Sequence, residues 1–220
     1  MTMKLNCDLG ESFGMWKMGL DEQVMPHIDM ANIACGFHAG DADVMANTLA
    51  LAKQHKVMVG AHPSYPDKQG FGRRSMAMSE KELTNCLHYQ IAAIDGMAAV
   101  HGLTLEYVKP HGALYNDMMS DEQTLNIVMR AVASYAKPLK LMILATNQAA
   151  KHKVQANDLQ LELILEAFAD RQYTDEGKLV ARSLAGSVHD KPALMAQVKQ
   201  LVAHGTVTTR SGQQLALNAD

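Results

Sequence analysis

The sequence predicts an α/β fold built on a parallel sheet, and three observations carry that prediction. Short apolar runs alternate along the chain with segments of helical period. The strand-like runs are nearly continuous in apolar residues, as in sheets covered by helices. Most of them end in charged residues or histidines, where parallel α/β folds place their ligands.

The elements follow in order. Met1 to Gly10 reads as strand, with "MKLNCDL" (Met3–Leu9) as its body; it lacks the basic and apolar regions of a signal peptide. "ANIACGF" (residues 31–37) is a second strand. Asp41 then suits an N-cap, because Val44, Met45, Leu49 and Ala52 follow the helical period. "VMVGAH" (Val57–His62) is a third strand. "SEKE" (Ser79–Glu82) matches a capping box, and Gly102 stands where a C′ glycine would end that helix. "LEYVKPHG" (Leu105–Gly112) is a fourth strand. "SDEQ" (Ser120–Gln123) predicts a second capping box, opening a helix through Leu125, Val128, Met129 and Val132. "LKLMILAT" (Leu139–Thr146) is a fifth strand. "LELILEAFAD" (Leu161–Asp170) holds a sixth, although its length also allows helix. Asp190 caps a last helix closed by Gly205, and "QQLALNAD" (Gln213–Asp220) reads as the start of a final strand.

Composition bounds the rest. With 220 residues, 48% hydrophobic and 20% charged, the chain suits a single domain spanning 1–220. A net charge of −3 gives no basic field for nucleic acid, and 5% aromatics give little for base stacking. No apolar run is long enough to span a membrane. Three cysteines without a C-x-x-C pair predict a reduced, cytoplasmic setting. The one long loop, "PSYPDKQGFGRRS" (Pro63–Ser75), holds two prolines, two glycines and two arginines, and loops of that length are more often functional than idle.

The polar strand ends supply the candidate site. Strand one ends in Asp8 and Glu11, strand two in Cys35, His38 and Asp41, strand three in His62. Strand four ends in Lys109 and His111, strand five in Thr146 and Asn147, strand six in Glu166, Asp170 and Arg171. Pro110 keeps Lys109 extended, so that Lys109 can point into a site while His111 stands at the loop entry. Arg73 and Arg74 have the fork geometry that grips a carboxylate or phosphate. Asp41 is adequately explained as a cap, and Cys7 and Cys35 as small core residues. His55, His101 and His204 sit at helix C-termini, where a cation suits the dipole. There is no P-loop, no G-x-G-x-x-G, no H-E-x-x-H and no C-x-x-C. Asp8, His38 and His62 are of the right type to share a divalent metal.

The longest motifs identify a resemblance. "LNCDLGESFG", "ANIACGFHAGD", "GAHPSYPDKQGFGRR", "VKPHGALYN", "EAFADRQYTDEGKLVARS" and "GSVHD" resemble, in order and over nearly the whole chain, the LamB/YcsF family. The resemblance implies the seven-stranded (β/α) barrel of the glycoside hydrolase/deacetylase type. It implies the A-subunit role in ATP-dependent opening of the lactam 5-oxo-L-proline to L-glutamate, with Mg2+ accompanying ATP and B and C subunits as partners. Deacetylases of the same superfamily hold a metal with one Asp and two His, to which Asp8, His38 and His62 are the nearest counterparts. Family members continue past the equivalent of "LNAD" into a further strand and helix, so the expectation is a barrel incomplete at its C-terminus.

The expected roles are these. Asp8 or Glu11 is the general base, and His111 or His38 the proton donor to the leaving nitrogen. Lys109 stabilises the developing anion beside the Gly112 N–H, with His62 in the same catalytic group. Arg73, Arg74, Asn147, Glu166 and Arg171 bind substrate. Two other readings stand beside this one: a metal-dependent, deacetylase-like amide hydrolase acting alone, and a non-catalytic subunit that delivers substrate.

Overall fold

The computed structural model describes residues 3–220, so Met1 and Thr2 of the predicted first strand lie outside the described residues. Six strands form one sheet in chain order: β1 (Asn6–Leu9), β2 (Met30–Ala34), β3 (Met58–His62), β4 (Leu105–Val108), β5 (Lys140–Leu144) and β6 (Leu163–Glu166). The first four neighbouring pairs are parallel. Between β5 and β6, the Leu141 N–H donates to the Glu162 carbonyl and the Ala145 N–H to the Glu166 carbonyl. The α/β expectation is met, and six strands of the expected seven are paired in this sheet among the described residues. Burial of all five β2 residues accounts for the unbroken apolar reading of that strand.

The helices are α1 (Asp21–Val24), α2 (Ala42–His55), α3 (Glu80–Val100), α4 (Gly112–Ser120), α5 (Glu122–Ala133), α6 (Ala149–Asp158) and α7 (Lys191–His204). Their starts are chemical. Asp41 accepts from the Val44 N–H and caps α2, and Ser79 with Glu82 completes the capping box of α3. Asp190 caps α7, which Gly205 closes in the left-handed region. Leu87, Ile91 and Ile94 of α3 are fully buried, each worth about 1.5–3 kcal/mol of transfer free energy.

Three expectations are corrected. Ser120 does not open a capping box; it ends α4, and Asp121 caps α5 by accepting from the Thr124 N–H. Residues 109–112 do not extend the fourth strand, because helix α4 begins at Gly112. The last strand start, Gln213–Asp220, is only partly as expected: β8 (Gln214–Ala216) pairs antiparallel with β7 (Thr206–Thr208), and beyond it the Asp220 N–H donates to the Leu165 carbonyl of β6.

Two compact units divide the described chain. The larger comprises Lys4–Met142 and Ala156–Leu163; the smaller is built mainly from Ile143–Gln155 and Ile164–Asp220. Among the described residues no helix is long and apolar enough to cross a membrane.

Candidate active site in the larger unit

One row of the sheet organises the site. Asp8 on β1 is in register with Asn32 on β2, Asn32 with Gly60 on β3, and Gly60 with Tyr107 on β4. Side chains two apart on a strand share a face, so Asn6 joins Asp8, His62 joins Gly60 and Lys109 follows Tyr107. A Cβ on Gly60 would stand 2.2 Å from the Tyr107 ring, so only glycine leaves room for that ring. The Tyr107 hydroxyl donates to Asn32 Oδ1 at 2.6 Å. Asn32 Nδ2 in turn donates to Asp8 Oδ1 and Asn6 Oδ1, both at 2.8 Å. Lys109 Nζ donates to the same two oxygens at 3.2 and 3.1 Å.

That network sets the charge of Asp8. Desolvation alone would raise its pKa, but His62, Lys109 and the Asn32 hydrogen bond outweigh it and hold the carboxyl well below the usual range. Asp8 is therefore an ionised carboxylate, with 39% of its side chain open to solvent.

Beside it stands a group of four: Glu11, His38, His62 and His111, with one ligand-type atom from each lying within 4.8 Å of all the others. His62 Nδ1 is 2.6 Å from the Lys109 carbonyl, and His111 Nε2 is 2.9 Å from the Phe71 carbonyl. His62 Nε2 and His111 Nδ1 face each other at 3.0 Å. Glu11 Oε1 is 3.1 Å from His38 Nε2 and 3.5 Å from His111 Nδ1. The rings of His38 and His111 stack in parallel at 3.7 Å.

Burial disfavours charge on these groups. Desolvation, then repulsion from His62 and His38, pushes His111 down to about 3. Desolvation, reinforced by His62, holds His38 well below the ordinary imidazole value. Desolvation raises Glu11 above the usual carboxylate value.

The long loop closes one side. Gly72 has φ +62°, and a Cβ there would stand 2.8 Å from His38 Cβ and 2.9 Å from His111 Cδ2. Its carbonyl accepts from the Ala113 N–H, and the Pro63 carbonyl from the His111 N–H, both at 2.8 Å. The loop is thus zipped to the start of α4.

Six predicted residues, Asp8, Glu11, His38, His62, Lys109 and His111, converge here. Arg73 lies exposed beside them, its guanidinium 5.2 Å from the Phe71 ring centre. Arg74 does not join them: Asp67 holds its guanidinium within the loop. Asn147, Glu166 and Arg171 belong to the smaller unit. There, Asn147 is exposed, Glu166 is buried at the end of β6, and Arg171 donates to the carbonyls of Val180 and Ser187. The metal candidates change too. His38 and His62 are in the group of four, but Asp8 is outside it, engaged by Lys109 and 3.4 Å from His62 Nε2. Asn6, Asn32, Gly60 and Tyr107 escaped the sequence reading, although polar residues on one face of apolar strands were the available signal.

Comparison with known proteins finds relatives over nearly the whole chain. The chain is 52% identical over 217 residues to the 5-oxoprolinase A subunit of Chromohalobacter salexigens, covering 98% of this chain and 87% of that protein. It is also 52% identical to the second 5-oxoprolinase A subunit of Pseudomonas putida, covering 98% and 84%. A crystal structure of a lactam utilization protein from Thermus thermophilus superposes with a TM-score of 0.92 at 38% identity, covering 100% of this chain and 88% of that one. The LamB/YcsF family model matches residues 3–220, the full described chain with every residue of the site, and the chain belongs to that family.

Proposed function

We propose that this chain is the A subunit of an ATP-dependent 5-oxoprolinase, acting in the cytoplasm with B and C subunits. The observation that carries the reading is the convergence of an ionised, solvent-open Asp8 with Lys109, Glu11 and three histidines, in a chain half identical to proteins of that name. The fold that goes with it is the seven-stranded family barrel, a reading supported by the six-stranded sheet.

The net reaction consumes 5-oxo-L-proline, ATP and two waters and yields L-glutamate, ADP and inorganic phosphate. ATP, carried with Mg2+, activates the amide by phosphorylating its oxygen. Water then adds through its oxygen to the carbonyl carbon, the ring C–N bond breaks, and the nitrogen takes up a proton, leaving a glutamyl phosphate whose phosphoryl group the second water removes as inorganic phosphate. Asp8 is the base that accepts the proton of the attacking water: it is the open carboxylate, whereas Glu11 lies deeper among the histidines. Lys109 balances negative charge developing on the reacting oxygen. His111 or His38 supplies the proton to nitrogen. Arg73, on the loop edge, holds the substrate carboxylate.

Glutamate and ADP production from 5-oxoproline, by this chain alone and with B and C, tests the reading. Turnover only with all three and ATP supports it; no turnover in any combination overturns it. The Glu11 and histidine group favours a second reading, an amide hydrolase using a bound divalent ion without ATP or partners. Amide cleavage by the isolated chain without ATP would select that reading.

A further inference from the structure

We propose that Glu11, His38, His62 and His111 form a site for one divalent transition-metal ion of the zinc and cobalt class, with Asp8 outside the ligand set. The inference rests on the convergence of the four side chains and on the partners that orient the two rings, and it stands whether or not the lactam reaction is correct.

A carbonyl oxygen only accepts hydrogen bonds. His62 Nδ1, at 2.6 Å from the Lys109 carbonyl, must therefore carry its proton, and so must His111 Nε2, at 2.9 Å from the Phe71 carbonyl. The remaining ring nitrogens are then the positions open to a ligated ion. Those two nitrogens, His62 Nε2 and His111 Nδ1, point at each other across 3.0 Å. Two facing lone pairs repel unless a cation lies with them. Glu11 brings a carboxylate to the same place, 3.5 Å from His111 Nδ1 and 3.1 Å from His38 Nε2. His38 Nδ1 is buried without a hydrogen-bond partner among the described residues, so that ring is held through Nε2, on the cluster side.

The spacing suits a metal. Ligand atoms about 2.0–2.2 Å from a tetrahedral ion stand about 3.4 Å apart. Three of the six separations, 3.0, 3.1 and 3.5 Å, lie near that value, and all six lie within 4.8 Å. Three imidazoles with one carboxylate select zinc, cobalt or their neighbours over magnesium and calcium, which favour oxygen. The Lys109 and Phe71 carbonyls do what outer partners of metal-bound histidines do, fixing tautomer and ring orientation. The alternative occupant is a proton shared by His62 and His111.

The test uses the full chain, stripped of metal by chelator and titrated with Zn2+ and with Co2+. We expect one ion per chain by calorimetry and elemental analysis. The cobalt form should show a visible spectrum of four- or five-coordinate geometry, without a thiolate charge-transfer band. Glu11→Gln and His111→Gln should each weaken binding by at least about 100-fold, since loss of outer partners alone costs about 10–100-fold. Asp8→Asn should keep affinity within a few-fold. Circular dichroism confirms folding of each variant, and the wild-type stoichiometry and spectrum stand without them. Absence of stoichiometric uptake by the wild-type chain overturns the proposal in favour of the shared proton. Binding indifferent to both Glu11→Gln and His111→Gln, or lost in Asp8→Asn, overturns the ligand set. Turnover of 5-oxoproline is not read, so failure of that reaction is distinguishable from failure of this one.

Discussion

The ring of Tyr107 lies over Gly60, filling the space where any other residue would carry its Cβ. This contact lets the Tyr107 hydroxyl reach Asn32, and through Asn32 it bears on Asp8. Gly60→Ala should therefore act twice. Overpacking should cost about 1–3 kcal/mol in urea unfolding, and displacement of Tyr107 should lower turnover. Tyr107→Phe separates the two effects: it keeps the packing and leaves the buried Asn32 oxygen without this donor, at about 1–3 kcal/mol. Equal stability of wild type and Tyr107→Phe would show that the hydroxyl contributes nothing.

Asp8→Asn should reduce 5-oxoproline turnover by the assembled A, B and C subunits about 10²–10⁴-fold, the usual contribution of a general base. Lys109→Met should also lower the rate, because it removes the cation beside Asp8 to which the proposed mechanism assigns the developing negative charge. Wild-type turnover in Asp8→Asn would remove that residue from the base role.

The long loop is braced by Asp67, which accepts from Arg74 and from the Gly70 N–H. Those hydrogen bonds, Arg74 foremost, hold the Asp67 carboxyl down at about 2. A carboxyl depressed on folding stabilises above its unfolded value of about 3.9, and that contribution disappears as pH falls through its folded value. The brace should thus persist at pH 4 and fail near pH 2. At neutral pH, Asp67→Asn should speed amide hydrogen exchange across residues 63–75, and unchanged exchange there would show that the pair does not brace the loop.

Burial pushes the Cys35 thiol up to about 12, and burial raises Cys7 and Cys86 as well. Iodoacetamide at pH 8 should leave Cys35 unmodified in the native chain and alkylate it after unfolding. Rapid native labelling, read by peptide mass spectrometry, would contradict this burial.

The sequence disclosed the strand ends because periodicity and caps are local. Asp41, Ser79 and Asp190 each announce a helix within four residues. The pairing of Glu11 with His38, or of His62 with His111, was not legible, since it depends on strand register across 27 and 49 residues. The Tyr107–Asn32 bond spans 75 residues and requires a glycine on the strand between them. Arg74 is ambiguous in the sequence for the opposite reason: its partner Asp67 lies seven residues away, and a forked donor looks the same whether it grips a ligand or its own loop.

The unequal exposure of these groups gives the pocket a direction. Asp8 is the most open, Glu11 is partly covered, and the three histidines lie almost wholly inside, behind a loop fastened to the next helix. A molecule diffusing in meets the carboxylates before it meets any imidazole. The fixed charges it meets first are the Asp8 carboxylate and the exposed Arg73 guanidinium, because Lys109 lies buried against Asp8. An entrance of mixed charge thus precedes the imidazoles.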